Sequence, residues 1–228
     1  MSTPESVARA PHLTARFWRT RRAAALAGIA FAVLLLTAMI MMRLALLDDS
    51  LANLRSDAGN RRLIGWSLHL VPFAGIAFLW FIGVVREQLG EVEDRLFSTV
   101  FLGSGLLFLA MLFSGAAATN SILVLAGGPD PDAALFAFGR GSTQTLISVY
   151  AMRMAAVFTL SVSTVGIRAG ALPRWVSYLG YASALVLLLA GGEHKWTQLV
   201  FPLWVLLVSV VILLTRPPDR SVTPDPTP

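Results

Sequence analysis

Long apolar runs separated by short polar segments dominate this chain. The clearest run, Leu63–Val85, reads LIGWSLHLVPFAGIAFLWFIGVV, and its one ionisable residue is His69. An α-helix rises about 1.5 Å per residue, so a run of this length crosses a hydrocarbon core of roughly 30 Å. The pattern therefore predicts a transmembrane helix, kinked near Pro72 because proline lacks a backbone N–H donor.

Five further runs repeat this pattern. Together with the first run, they predict spans at residues 23–42, 63–85, 96–118, 144–167, 175–190 and 197–215. The expected fold class is therefore all-α, a polytopic membrane protein built as a bundle of six transmembrane helices. The apolar stretch Ala133–Phe138 is too short to span, so we expect it at the membrane interface within a long loop, residues 119–143.

The two ends of the chain are polar and contain several prolines. Residues 1–22 and residues 216–228 have too few apolar side chains to form a packed core. We therefore expect a disordered arm at the amino terminus and a disordered tail at the carboxyl terminus.

Composition favours a membrane protein over a soluble one. Of the 228 residues, 14% are charged, whereas a soluble domain carries about 25%. Cysteine is absent, which excludes disulfides, thiolate metal sites and a cysteine nucleophile. We expect no metal and no cofactor. The sequence has three histidines, His12, His69 and His194, and one of them lies well inside a predicted span. A haem held by two axial histidines within the bilayer would need two there.

The distribution of basic residues indicates the orientation. With the amino terminus in the cytoplasm, eleven basic residues lie on the cytoplasmic side and six on the outer side. The positive-inside rule therefore favours a plasma-membrane protein with both termini cytoplasmic. The net charge of +5 is interpreted as contact with anionic lipid headgroups rather than with nucleic acid.

Two ionisable side chains fall inside predicted spans. Counted from the outer side, His69 lies about 9 Å deep and Arg153 about 12 Å deep. Ionisable groups at such depth need water or a partner. We therefore predict a small outward-facing polar cavity, lined by His69, Tyr150 and Arg153, that binds an anionic headgroup or a small anion. The residues predicted to ring its outer mouth are Arg61, Arg62, Arg140, Glu193 and His194.

Each of these side chains also has a purely structural interpretation. The long stem of Arg153 allows its charge to snorkel to the outer interface. A neutral imidazole at His69 is satisfied by a hydroxyl or a backbone carbonyl. Both alternatives stay open at this point.

Two stretches resemble uncharacterised six-helix membrane proteins of bacteria, mostly actinobacteria. The first is RAGALPRWVSYLG, Arg168–Gly180, where a turn joins the fourth and fifth spans in those proteins. The second is EVEDRLFSTVFLGSGLLFLAMLFSGAA, Glu91–Ala117. The resemblance implies a six-helix fold in the bacterial plasma membrane and implies no particular activity.

Three functions are compatible with the sequence. The first is a non-enzymatic membrane protein that binds an anionic lipid headgroup or a partner subunit, including a second copy of itself. The second is a small-solute or ion permease gated by His69 and Arg153. The third is a membrane enzyme or redox subunit. No P-loop, Gly-x-Ser-x-Gly or His-Glu-x-x-His motif occurs, so no catalytic residues are predicted.

Overall fold

A computed structural model describes residues 10–45, 51–89, 95–130, 132–170, 172–190 and 196–214. These residues are almost entirely helical and include no strand, which confirms the predicted all-α class. The helices are α1 (Ala10–Ala45), α2 (Leu51–Ser56), α3 (Ala58–Leu89), α4 (Arg95–Ala126), α5 (Ala133–Gln144), α6 (Met152–Arg168), α7 (Arg174–Ala190) and α8 (Val200–Leu214). A π-helical segment, Thr145–Ala151, joins α5 to α6, and a 3₁₀ turn, Thr197–Leu199, precedes α8.

Five helical segments within the described residues are long and apolar enough to cross a membrane. They are Arg22–Ala45, Ala58–Arg86, Ser98–Ala126, Ala133–Arg168 and Thr197–Leu214. The remaining predicted span corresponds to α7, which has 17 residues. At about 1.5 Å per residue, α7 is roughly 26 Å long, slightly less than the hydrocarbon thickness.

Several helices are longer than the predicted spans. Helix α1 begins at Ala10, inside the stretch expected to be a disordered arm, while residues 1–9 and 215–228 lie outside the described residues.

The expected loop at residues 119–143 is mostly helical, and α5 continues through the π-helical segment into α6. The reason is a cap at Asp132: its carboxylate accepts hydrogen bonds from the backbone N–H groups of Ala134 and Leu135, at 2.7 and 3.2 Å. The stretch Ala133–Phe138 is therefore the start of a long helix and not an isolated interfacial segment.

A cluster of phenylalanine side chains occupies the centre of the bundle. Phe31, Phe78, Phe108, Phe158 and Phe201 come from α1, α3, α4, α6 and α8, and all are fully buried. Their ring centroids lie 4.5 Å apart for Phe31–Phe78 and 4.8 Å apart for Phe108–Phe201. Most of the pairs are tilted or edge-to-face, which is the arrangement that aromatic quadrupoles favour. One continuous core thus links five helices.

The long helices pack in a closed ring around this core. Helix α1 packs against α3 and α8, α3 against α4, and α4 against α6. Helix α7 packs against α6 and also against α8, which closes the ring. Helix α7 is therefore part of the bundle whatever its depth in a membrane.

Glycines allow two of these helix pairs to approach closely. A Cβ atom on Gly28 of α1 would lie 2.0 Å from Ser209 Oγ of α8 and 2.8 Å from the ring of Phe81. A Cβ atom on Gly180 of α7 would lie 2.0 Å from Ser163 Oγ of α6. Small residues at helix contacts are the usual means by which membrane helices gain van der Waals packing.

We expect Gly28→Ala to destabilise the bundle by about 1–3 kcal/mol, because the added methyl group overpacks the α1–α8 contact. Gly83→Ala is the matched control, since a Cβ atom there meets nothing within 4 Å and alanine has the higher helix propensity by about 1 kcal/mol. The measurement is the midpoint of thermal unfolding in detergent. Equal midpoints for the two variants would contradict the packing described here.

Candidate ligand-binding cavity

A cavity of about 440 Å³ lies between two hydrophobic clusters. On its inner side is the phenylalanine core with its neighbours Leu35 and Leu112. On its other side is a smaller cluster, which we call the outer cluster. The buried members of the outer cluster are Ala45, Leu54, Ile64, Ala126 and Phe136.

The cavity extends along the helix axes from a charged end to an inner end. On α1 the lining runs from Arg43 to Leu35, which are eight residues apart and therefore separated by about 12 Å. On α5 and the π-helical segment it runs from Phe136 to Ser148, twelve residues apart. Helices α3 and α4 supply most of the remaining wall.

Most of the wall is apolar, but its charged groups are all of one sign. Two arginines line the cavity, the half-buried Arg43 and the exposed Arg140. No carboxylate occurs among the described residues that line it. The described charges at this end of the cavity are therefore positive.

Uncharged polar side chains lie deeper in the cavity. Gln198 and Ser148 are both buried, and Gln198 Nε2 donates a hydrogen bond to Ser148 Oγ. Thr119 Oγ1 donates to the carbonyl oxygen of Gly115 at 2.8 Å. Thr143 Oγ1 is buried and has no hydrogen-bond partner within the described part of the chain.

Helix α2 covers the charged end. Its Leu54 is 5% exposed and belongs to the lining. Arg61 Nη1 donates to the carbonyl oxygens of Leu54, at 2.9 Å, and of Arg55. Arg55 Nη2 in turn donates to the carbonyl oxygen of Pro129, at 3.2 Å. Because a helix leaves its last carbonyls unsatisfied, these arginine contacts hold the short helix in place.

The residues predicted to line a polar cavity lie elsewhere on the bundle. His69, Tyr150 and Arg153 are exposed, and the lining of the cavity includes none of the three. His69 Nδ1 lies 2.6 Å from the carbonyl oxygen of Gly65, four residues earlier. The imidazole therefore has a backbone carbonyl partner, as the structural interpretation of His69 predicts.

The residues predicted to ring the outer mouth divide into three groups. Arg140 lines the cavity, and Arg61 braces the helix that covers it. Arg62 is exposed and outside the lining. Glu193 and His194 lie outside the described residues.

Sequence reasoning missed the uncharged polar lining and Arg43. Ser148 and Gln198 sit within apolar runs that pass for ordinary spans, and no charge distinguishes them. The available signal was the amide of Gln198 close to the start of the last run, because a buried amide needs partners. Arg43 lies just beyond the first predicted span, residues 23–42, because that span ends three residues before α1 does.

Comparisons with known protein families, with curated proteins and with solved structures found no match. Within the described residues, no group of three or more histidine, aspartate or glutamate side chains is placed to hold a metal ion. The candidate site therefore has to be interpreted from its own geometry.

We expect Arg61→Ala to loosen α2, because the variant removes the donor to two helix carbonyls. The natural chain has no cysteine, so Leu54→Cys introduces a single thiol whose reaction with maleimide reports opening of the cover. Labelling should become roughly tenfold faster in the Arg61→Ala background, the effect of a charge-assisted hydrogen bond.

Two controls accompany this labelling experiment. Ala52→Cys, on an exposed position of α2, should react at the same rate in both backgrounds. Arg62→Ala should leave the labelling of Leu54→Cys unchanged. Equal labelling of Leu54→Cys with and without Arg61 would show that Arg61 does not hold α2.

Proposed function

We propose that this chain is an integral membrane protein that binds an anionic amphiphile, such as a lipid or fatty acid, in the cavity described above. The observation that carries the proposal is the combination of an apolar wall with two arginines at one end. The proposed location is the plasma membrane of a bacterium, with six spans and both termini in the cytoplasm. The function does not require His69, Tyr150 or Arg153.

The apolar wall supports a hydrocarbon ligand. A volume of about 440 Å³ lies in the range of small-molecule sites, roughly 300–1,000 Å³. Side chains such as Leu35, Met39, Val71 and Leu112 would cover a hydrocarbon chain and exclude water from it. A small hydrated ion would find few partners on such a wall.

The two arginines support a carboxylate or phosphate at the charged end. A guanidinium group offers several N–H donors in a planar fork, which matches the oxygen pair of either anion. Arg43 and Arg140 reach the cavity from α1 and α5, so they approach a ligand from different helices. Fatty acids and phospholipids share this chemistry.

The lining supports binding rather than catalysis. Its described residues include no histidine and no carboxylate, so they offer no ordinary general acid or base for hydrolysis. The hydroxyls of Thr119, Thr143 and Ser148 have no such base beside them in the lining.

The six-span topology is supported by the position of α7 in the closed ring and by its aromatic residues. Trp175 and Tyr178 are exposed at the start of α7, as expected for side chains at a membrane interface. The turn before α7 is the segment that resembles the connector of six-helix membrane proteins. Gly170 adopts φ +62° in it, a conformation that glycine adopts without steric cost.

We expect Arg140→Gln to weaken laurate binding by about tenfold or more, because the variant removes a charge-assisted contact to the carboxylate. The measurement is titration calorimetry on protein reconstituted in phosphatidylcholine nanodiscs. Dodecanol, which lacks the charge, should bind native protein and variant with similar affinity. Comparing the affinity for laurate with the affinity for a lysophosphatidic acid distinguishes a carboxylate ligand from a phosphate ligand.

Arg62→Gln is the matched control, since this arginine is exposed and lies outside the lining. It should bind laurate as the native protein does. Equal laurate binding by the native protein, Arg140→Gln and Arg43→Gln would overturn the proposed function. Loss of binding in all three variants, Arg62→Gln included, would also contradict it, because the effect would then be one of net charge.

The number of spans has a separate test. Six crossings place both ends of the chain on the same side, whereas five crossings place them on opposite sides. We expect reporter tags at the amino and carboxyl termini to be protected together in intact cells and accessible together after permeabilisation. Accessibility of one tag only would show that α7 does not cross.

A further inference from the structure

We propose that the ligand of the cavity is a two-chain phospholipid of the surrounding membrane, which places one acyl chain in the cavity through a gap between α1 and α5. The phosphate would lie beside Arg43 and Arg140, and the second chain would stay in the bilayer. This inference rests on the proposed function and narrows its ligand to one class of lipid. It follows from the side on which the cavity opens and from the depth of its two ends.

The cavity opens along one edge of α5. Three of the described residues that line it are exposed, and all three belong to α5: Arg140, Gly141 and Gln144. Gly139 faces α4, since a Cβ atom there would lie 3.0 Å from the side chain of Ile122. Residues two positions apart project from nearly opposite sides of a helix, so position 141 faces away from α4. The mouth of the cavity therefore lies on the side of α5 that is turned away from α4.

Helix α1 forms the other edge of this mouth. Ala45 belongs to the outer cluster together with Ile64 of α3, and Arg43, two positions earlier, projects from nearly the opposite side of α1. Arg43 is half-buried and lines the cavity. Within the described part of the chain, the main packing partners of α1 are α3 and α8, whereas those of α5 are α4 and the π-helical segment. Helices α1 and α5 thus border the cavity from two sides and leave a gap between them, which we call the side gap.

Helix α8 is too short to fill the side gap. It runs antiparallel to α1, and Gly28 of α1 lies against Ser209 of α8. Val200, the first residue of α8, is nine residues before Ser209 and therefore about level with Thr37 of α1. Helix α1 continues for eight more residues, to Ala45, over about 12 Å. Among the described helices, none packs against both α1 and α5 to close this stretch.

The depths of the two ends of the cavity match the two parts of a phospholipid. The apolar segment of α1 begins at Arg22, and Arg43 is 21 residues further along the helix, a distance of about 32 Å. With Arg22 at one surface of a hydrocarbon core of roughly 30 Å, Arg43 lies at the other surface, where lipid phosphates are. Leu35 lies about 12 Å deeper, at the level of the acyl chains.

The surface beside the side gap is suited to contact with lipid. Ile40 and Leu44 are exposed on α1, and Leu135 and Phe138 are exposed on α5. A phospholipid that enters sideways keeps its second chain against such side chains. Complete withdrawal of a chain from a membrane costs about 0.8 kcal/mol per CH₂ group, and sideways entry avoids that cost. A two-chain lipid can therefore bind here without leaving the bilayer.

Photo-cross-linking tests this inference. The probe is a phosphatidylglycerol with a diazirine midway along one acyl chain, supplied in phosphatidylcholine nanodiscs. We expect cross-links to Leu35 and Leu112 inside the cavity, and also to the exposed Ile40, which reports on lipid around the protein. Diacylglycerol with the same diazirine lacks the phosphate and should give about tenfold fewer cross-links inside the cavity. Its cross-links to Ile40 should be unchanged.

A bulky label at the side gap should block this binding. Gly141→Cys supplies a single thiol, and a Cβ atom at this position meets nothing within 4 Å, so the variant should fold before it is labelled with pyrene maleimide. Labelling should remove the cross-links to Leu35 and Leu112 and leave those to Ile40. Gly83→Cys is the matched control, because its position on α3 is exposed and equally free of neighbours. The label at position 83 should change neither set of cross-links.

The outcomes separate this inference from the proposed function. Cavity cross-links that the label at position 141 removes, and the label at position 83 does not, support the phospholipid. Cavity cross-links that survive the label at position 141, or that both labels remove, overturn the inference. Absence of cavity cross-links in a protein whose laurate binding depends on Arg140 also overturns it and leaves the proposed function standing. Absence of Arg140-dependent laurate binding as well overturns both.

Discussion

Close packing of phenylalanine rings at the centre of the bundle is the interaction on which the other features depend. Helices surrounded by lipid gain little from the hydrophobic effect when they associate, so van der Waals contact between well-fitted side chains has to hold them together. The rings of Phe31, Phe78 and Phe201 meet from three different helices. Gly28 lets α1 and α8 approach closely enough for this contact. Where these side chains no longer pack closely, the bundle contains the cavity.

The cavity occupies the place where this packing gives way to a second, smaller core. Leu35 and Leu112 belong to the phenylalanine core and also line the cavity, while Leu54 and Phe136 belong to the outer cluster and line it as well. A packed interior leaves few voids larger than a water molecule. A space of this size between two well-packed clusters, with arginines at one end, therefore resembles a binding site.

The irregular elements of the bundle also contribute to the cavity wall. Helix α2 has six residues and depends on arginine contacts to carbonyl oxygens. The π-helical segment Thr145–Ala151 changes the register of side chains between α5 and α6, and it carries Ser148 into the lining. Such π-helical turns occur frequently at functional sites. Regular helices build the core and most of the cavity wall, and the irregular elements add Leu54, Ser148 and Gln198 to that wall.

The sequence by itself determined the all-helical class and the approximate position of the long apolar helices. The rise per residue of a helix is fixed and the length of an apolar run can be read from the sequence, so both are local properties. It also singled out Arg61 and Arg140 as charges near one end of the bundle. It did not reveal that Arg43, Ser148 and Gln198 share one cavity. Those residues come from segments far apart in the chain, and the side to which each helix turns is decided by packing. The sequence likewise grouped His69 with Arg153 by depth alone, whereas rotation about the helix axis, set by the phenylalanine core, turns both toward the exposed surface.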